Sequence, residues 1–421
     1  MAELLAGAAK VEITPPVGVE LAGYGYFLAR RSTGIADPLQ ARALVLEHGE
    51  QRVALVALDL IGIMDYDTAF VRRDAQERAG VPGEAVLVAG SHTHAGPANA
   101  RLLACGEQDD AWAACLKHTL AGAIAGAARN LSPVTISRAR GEVPWLMHNR
   151  VEGAGGPVDT ELNVLALRGA DGALLATLFN TQAHAVVNRS AENTLLSPDW
   201  PGAAATWLEE NLGGTAFYWQ GCCGDLNPQE AHTGNVHEVG RRVGEAVRDL
   251  LATAVPAAPA LAAAMRPLEL PFQPWNEAAL REALETWEPK LGTAEEARAR
   301  FEVIAAQEAL ARLDSQPTAL VTEVQALRLG DTLLLCHGAE MFCEFGLAMK
   351  AASPAPQTMV VGYANSFIGY VADPEDFARG GYGATHAPKI WGQPLYTEDV
   401  GHRFVDALTE LGQAVWAAGR R

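Results

Sequence analysis

Basic residues are scarce in this 421-residue chain, where 32 Lys and Arg stand against 50 Asp and Glu for a formal charge of −18. That balance repels the phosphates of nucleic acid and the anionic headgroups of most membranes, so neither is expected as a general partner. No stretch reaches the roughly 18 to 20 uninterrupted apolar residues that a membrane span needs. The opening MAELLAGAAKVEITPPVG has no basic segment followed by an apolar one. The expectation is a cytoplasmic protein without a signal peptide and without stable membrane insertion. Cysteine is sparse as well, with six residues at 105, 115, 222, 223, 336 and 343 and no CxxC pair. In a chain too large to need cross-links these read as mostly reduced, buried thiols. Internal repeats and low-complexity linkers are missing, so nothing marks a boundary, and the expectation is one domain over residues 1–421.

What remains is a folded composition, 49% hydrophobic and 19% charged. Residues 53–60 (VALVALDL) and 85–90 (AVLVAG) are apolar runs of strand length, the pattern of strands covered on both faces. Between them, residues 65–79 open with carboxylates and close at Gly80, which predicts a helix and hence a strand–helix–strand crossover. Further helices are predicted over 111–129, 201–212 and 399–418, a hairpin over 161–168 and 173–180 around Ala170-Asp171-Gly172, and strands over 319–329 and 332–337. Residues 275–316 are dense in Ala, Glu, Arg and Leu at helical spacing, broken at Pro289 and Gly292. They predict an antiparallel helical hairpin inserted in the domain, read first as a solvated arm and second as a lid. The fold class that results is α/β, with layered mixed β-sheets, surrounding helices and a helical-hairpin insertion.

Chemistry concentrates just past the predicted strands. Ser91-His92-Thr93-His94-Ala95-Gly96-Pro97 follows the apolar run at 85–90. Two imidazoles leaving a strand end together are either polar loop residues or metal ligands. His184 follows the run at 173–180, and Glu340 follows the strand at 332–337. A His/His/carboxylate set delivered by three strand ends matches the donors of a catalytic zinc site with one position open. A further island, Trp219 to Gln229 (WQGCCGDLNPQ), builds a tight loop that is either an ordinary connection or a source of backbone amides for an anionic intermediate. Tyr370 and Tyr382 sit in a Gly-rich aromatic stretch, suited to packing or to ligation and proton donation.

Together with Gly7-Ala8-Ala9-Lys10-Val11-Glu12-Ile13-Thr14-Pro15-Pro16-Val17-Gly18, Gly23-Tyr24-Gly25, Gly34-Ile35 and Ala41-Arg42-Ala43-Leu44-Val45-Leu46, these islands resemble the catalytic domain of the neutral ceramidase family, zinc-dependent amidases that cleave the N-acyl bond of ceramide. The resemblance runs through most of the chain. It implies one zinc per chain held by His92, His184, Glu340 and Tyr370, with His94 in the catalytic pocket. By the same resemblance Arg150, in His148-Asn149-Arg150, orients substrate, and Tyr382 is a pocket tyrosine. Two departures stand out. The family's Gly-Asp-Val-Ser-Pro-Asn is here Gly224-Asp225-Leu226-Asn227-Pro228-Gln229, so Asn227 replaces the serine nucleophile. A carboxamide cannot serve as that nucleophile, although it can donate to an oxyanion. The second expected departure is at the family's C-terminal β-sandwich, for which the reading leaves no room after the helix predicted at 399–418. The expected partner is a small-molecule N-acyl or ester substrate. The rival readings are a cysteine-dependent hydrolase using Cys222 or Cys223 with His94 as base, an esterase, and a non-catalytic metal- or ligand-binding homologue.

Overall fold

The computed structural model of the chain describes residues 2–25, 29–188 and 192–418. Its first crossover is the predicted one: Gln51–Leu58 and Val86–Gly90 pair in parallel, and the helix Asp65–Ala79 joins them. Asp65 and Asp67 occupy the first turn of that helix, and Gly80 ends it in the left-handed region at φ 63°. The acidic groups complement the positive end of the helix dipole, and the Gly80 amide caps the other end by donating to the Ala75 carbonyl.

These strands edge a nine-stranded mixed sheet. Its order is Thr215–Gln220, Leu174–Thr181, Glu161–Gly169, Ser132–Glu142, Leu4–Glu12, Gln40–His48, Gln51–Leu58 and Val86–Gly90, with Val255–Ala257 also paired to Ser132–Glu142. The two outermost pairs are parallel and the interior ones antiparallel. The predicted hairpin is the pair Glu161–Gly169 and Leu174–Thr181, turned at Gly172 with φ 80°. A second sheet runs Leu261–Pro271, Ala319–Leu329, Thr332–His337 and Gln357–Val361, antiparallel except for the last pair.

The inner faces of the two sheets share one apolar core, in which Val53, Leu55 and Val86 meet Leu327, Leu334 and Met359. The helix Asp110–Arg129 covers the outside of the first sheet through Leu116, Leu120 and Ile124. The helix Val400–Ala418 covers the second through Phe404, Leu408 and Val415. Helix, sheet, sheet and helix are therefore stacked in layers. Ten α-helices are present among the described residues. None of them is long and apolar enough to cross a membrane.

Two strands escape the sequence pattern for a physical reason. Leu4–Glu12 (LLAGAAKVE) is rich in small residues of low β-propensity, yet it lies inside the sheet because the helix Asp110–Arg129 passes close over it. A Cβ at Gly7 would meet the Ala127 carbonyl oxygen at 2.2 Å. Leu261–Pro271 carries Pro267 and Pro271, tolerated because the strand is the edge of its sheet.

The arm forms as two helices, Glu277–Trp287 and Glu296–Ala311, with a 3₁₀ turn at Glu288–Lys290 and Gly292 at φ 77°. The solvated-arm reading holds for the first helix, which buries no residue. It fails for the second, which buries Phe301 completely against Ala104, Cys105 and Ile390.

Candidate metal centre and active site

Three strand ends deliver His92, His184 and Glu340, and a short ladder adds Tyr370. His92 lies two residues beyond Val86–Gly90 and His184 three beyond Leu174–Thr181. These strands sit near opposite edges of the large sheet, and the loops after them are stitched together by a bridge between Thr93 and Ala185, reinforced by the His94 amide donating to the Ala185 carbonyl at 3.3 Å. Glu340 follows Thr332–His337 and pairs directly with Tyr370 in the short parallel ladder of Glu340–Met341 with Tyr370–Val371. Polar side chains gathered at the carboxyl ends of strands follow the usual placement of sites on open α/β sheets.

His92 Nε2 lies 3.1 Å from Glu340 Oε2 and 3.1 Å from His94 Nε2. His184 Nε2 lies 3.7 Å from the same carboxylate oxygen and 3.4 Å from the Tyr370 hydroxyl. One ring nitrogen from each of His92, His94 and His184 falls within 4.8 Å of the others, a spacing at which the three can hold a metal ion. The donor chemistry fits such an ion. His92 Nδ1 is paired with the Ile61 carbonyl at 2.9 Å and His184 Nδ1 with the Leu226 carbonyl at 3.1 Å. A carbonyl on Nδ1 fixes the proton there and leaves Nε2 as a lone pair facing the cluster, as metal-bound histidines require. His94 Nδ1 is buried without a hydrogen-bond partner. The sequence reading set His94 in the pocket beside the ligands, and its Nε2 lies 3.1 Å from that of His92.

Charge is organised to the same end. Burial pushes His94 well below the ordinary histidine range, with His92, His184 and Arg150 adding to the effect. Burial likewise lowers His184 to about 4, so both rings are neutral at pH 7. Burial alone would raise Glu340; protons on the facing nitrogens of His92 and His184 would outweigh it and hold the carboxyl well below the usual range, and a cation bound in their place would act in the same sense. The Tyr370 phenol is pushed up by burial, with Glu340 adding and Arg150 opposing.

Arg150 donates to the Tyr370 hydroxyl at 2.7 Å and to the Gly224 carbonyl at 2.7 Å. It is raised overall, burial being outweighed by Tyr370 and Glu340. Asn227 lies opposite His148 in a short ladder and lines the same polar cavity, of about 230 Å³, as His94, His184 and Arg150. Its Oδ1 is buried without a partner. Two backbone amides of the 224–227 loop are engaged elsewhere: Gly224 donates to Met341 at 2.9 Å and Leu226 to Cys223 at 3.0 Å. Those two N–H groups serve the fold rather than the cavity. Tyr382 meets the Tyr370 ring edge-on at 5.5 Å and is 43% exposed at the mouth. Cys222 and Cys223 are both buried, Cys222 against His337 at 3.4 Å and Cys223 against the Tyr363 hydroxyl at 3.0 Å. Burial pushes both thiols far up, which opposes a thiolate nucleophile.

Sequence reasoning assigned no role to a second set. Gly23, at φ 107°, leaves room for His94, since a Cβ there would sit 2.5 Å from the imidazole. Tyr24 packs edge-on to His94 at 5.1 Å. Arg30 donates to the His94 carbonyl at 2.8 Å and lies over the Tyr24 ring. Tyr363 stacks on His92 at 4.1 Å. Only the Gly23-Tyr24-Gly25 pattern could have signalled any of these.

No protein-family model matches the chain, and no curated protein matches it. Among solved structures it is similar to the neutral ceramidase of Pseudomonas aeruginosa, at 21% identity with a TM-score of 0.77, over 99% of this chain and 75% of that one. It is also similar to a ceramidase complexed with C2, at 20% identity with a TM-score of 0.79, over 99% of this chain and 76% of that one. Over nearly its whole length, the chain therefore has the fold of neutral ceramidase.

Proposed function

We propose that the chain is a zinc-dependent amidohydrolase of the neutral ceramidase type, which cleaves the N-acyl bond of ceramide or of a smaller amide by water. The observation that carries this reading is the convergence of His92, His184, Glu340 and Tyr370 at one point. These four would hold one zinc, and His94 stands beside them with a free nitrogen. Zinc bound there would supply Lewis acidity and a water acidified to a pKa of about 7.

The chain's own residues do the rest. The water oxygen adds to the acyl carbon, the carbon–nitrogen bond breaks, and the proton lost by water is carried to the leaving nitrogen, giving a carboxylate and an amine. His94 is neutral at pH 7 and unpaired at Nδ1, so it can take up a proton there. Arg150, anchored by Gly224 and Tyr370, and the carboxamide of Asn227 face the cavity where the oxyanion develops. Tyr382 holds substrate at the mouth. No serine acylation is needed, which agrees with Asn227 at the family's serine position.

The test is hydrolysis of an N-acyl series by purified protein. Activity abolished by a chelator, restored by zinc and absent in His184→Ala is expected. Chelator-resistant activity blocked by a thiol alkylator would move the nucleophile to the cysteines. Metal binding with no turnover of amide or ester would make the chain a non-catalytic homologue.

A further inference from the structure

We infer that Phe367 and Trp391 form a fixed wall across the apolar side of the centre, so that the site takes a short acyl group of about two to four carbons. This deepens the amidohydrolase reading and rests on it. Two cavities meet at His94, Tyr370 and Tyr382. The polar one, of about 230 Å³, is lined by Tyr24, Arg150, Asn227 and His232 and suits the amine part. The other runs from His92 and Glu340 to an apolar side of Ile61, Leu102, Cys105, Phe367, Ile390 and Trp391, and its whole volume, the centre included, is only about 40 Å³. That is room for roughly two or three water-sized groups.

A larger space lies just beyond. A groove of about 490 Å³, lined by Met64, Met265 and Leu320, reaches the far sides of the same Phe367 and Trp391. The two rings meet edge to face, 4.9 Å apart at 87°, and Phe367 lies 5.8 Å from the His92 ring. Both are seated over glycines. A Cβ at Gly62 would stand 2.8 Å from Phe367 Cγ, and one at Gly369 would stand 2.3 Å from Trp391 Nε1. From a third side, Phe301 of the helical arm packs on Ile390 and Cys105. These neighbours hold the rings on the sides away from the groove, where close packing resists displacement. A long acyl chain is therefore stopped at the wall, although space for it exists behind.

Straight-chain hydroxamates, which carry an acyl group to a metal, test the wall without turnover. Calorimetric affinities for the zinc-loaded wild type should fall at least tenfold from butanohydroxamate to octanohydroxamate. In Trp391→Ala that ratio should shrink to within threefold. Phe367→Leu, a smaller change, should shift the ratio in the same direction, and thermal melting shows that each variant is folded. A wild type that binds octanohydroxamate as tightly as acetohydroxamate overturns the inference, as do two folded variants with an unchanged ratio. A chain-length break without hydrolysis of any N-acyl compound supports the wall and overturns the hydrolase reading instead. Protein that retains no zinc overturns both.

Discussion

His92 holds a left-handed backbone conformation, φ 64°, that a residue with a Cβ adopts only when its surroundings compel it. Its amide is tied to the Leu60 carbonyl at 2.9 Å, its Nδ1 to Ile61, and its ring face to Tyr363. Strain held this firmly aims Nε2 at Glu340 before any ligand arrives, which is what preorganisation requires. The placement of His92, His184 and Glu340 past apolar strands was legible in the sequence because strand ends are where such groups are displayed. Tyr24, Arg30 and Tyr363 were not, because their roles depend on contacts between segments far apart in the chain. Asn227 belongs to this scale as well. Asn227→Ala should lower kcat about 10² to 10³-fold with metal content and melting temperature unchanged, as loss of an oxyanion donor does. Steady-state kinetics beside metal analysis reads the result, and a kcat within threefold of wild type would remove Asn227 from the mechanism.

Parallel strand pairs position the site, and antiparallel ones fill the space between. Most of the strands that could be read are continuous apolar runs such as 53–60, 85–90 and 332–337, and they are the ones that lead to His92 and Glu340. Strands built from small residues or prolines, Leu4–Glu12 and Leu261–Pro271, are held by neighbours rather than by propensity, so their sequences are silent. Elements are also joined through buried charge. Arg42 pairs with Asp59 at 3.1 Å and with Glu209 at 3.1 Å, linking the sheet to the helix Asp199–Leu212. The helical arm attaches through Phe301 and through a Lys389–Glu302 pair at 2.7 Å. Phe301→Ala should cost about 3–5 kcal/mol locally, the usual range for a buried aromatic. Limited proteolysis should then cut faster in the exposed link between the two arm helices, with zinc content unchanged. Equal cleavage rates in variant and wild type would show that Phe301 does not anchor the arm.

At the scale of the whole molecule, stability follows pH through groups that the fold has displaced in opposite directions. Burial lowers His337 to about 3. Between that value and the ordinary histidine value near 6.5 the unfolded chain binds a proton that the fold excludes, so stability is lost as pH falls through this window. Burial raises Asp199 and Asp225 to about 6, and these work the other way, favouring the fold as pH falls from about 6 toward 4. Replacing His337 removes one proton from the balance. Urea unfolding between pH 4 and 6 should give a slope for His337→Gln that is smaller by about 1.4 kcal/mol per pH unit; equal slopes would mean that His337 does not titrate as its burial implies. The layered α/β class was readable from alternating apolar runs and helical patterns, but not the face-to-face packing of two sheets, since nothing in a strand's sequence names the sheet opposite it. Everything functional depends on the centre at which those layers meet. Its most direct measurement is metal content per chain by plasma mass spectrometry, for wild type and His92→Ala purified alike without added metal. The account predicts about one zinc per chain in the wild type and none in the variant. Full zinc in both, or none in either after reconstitution, would contradict it.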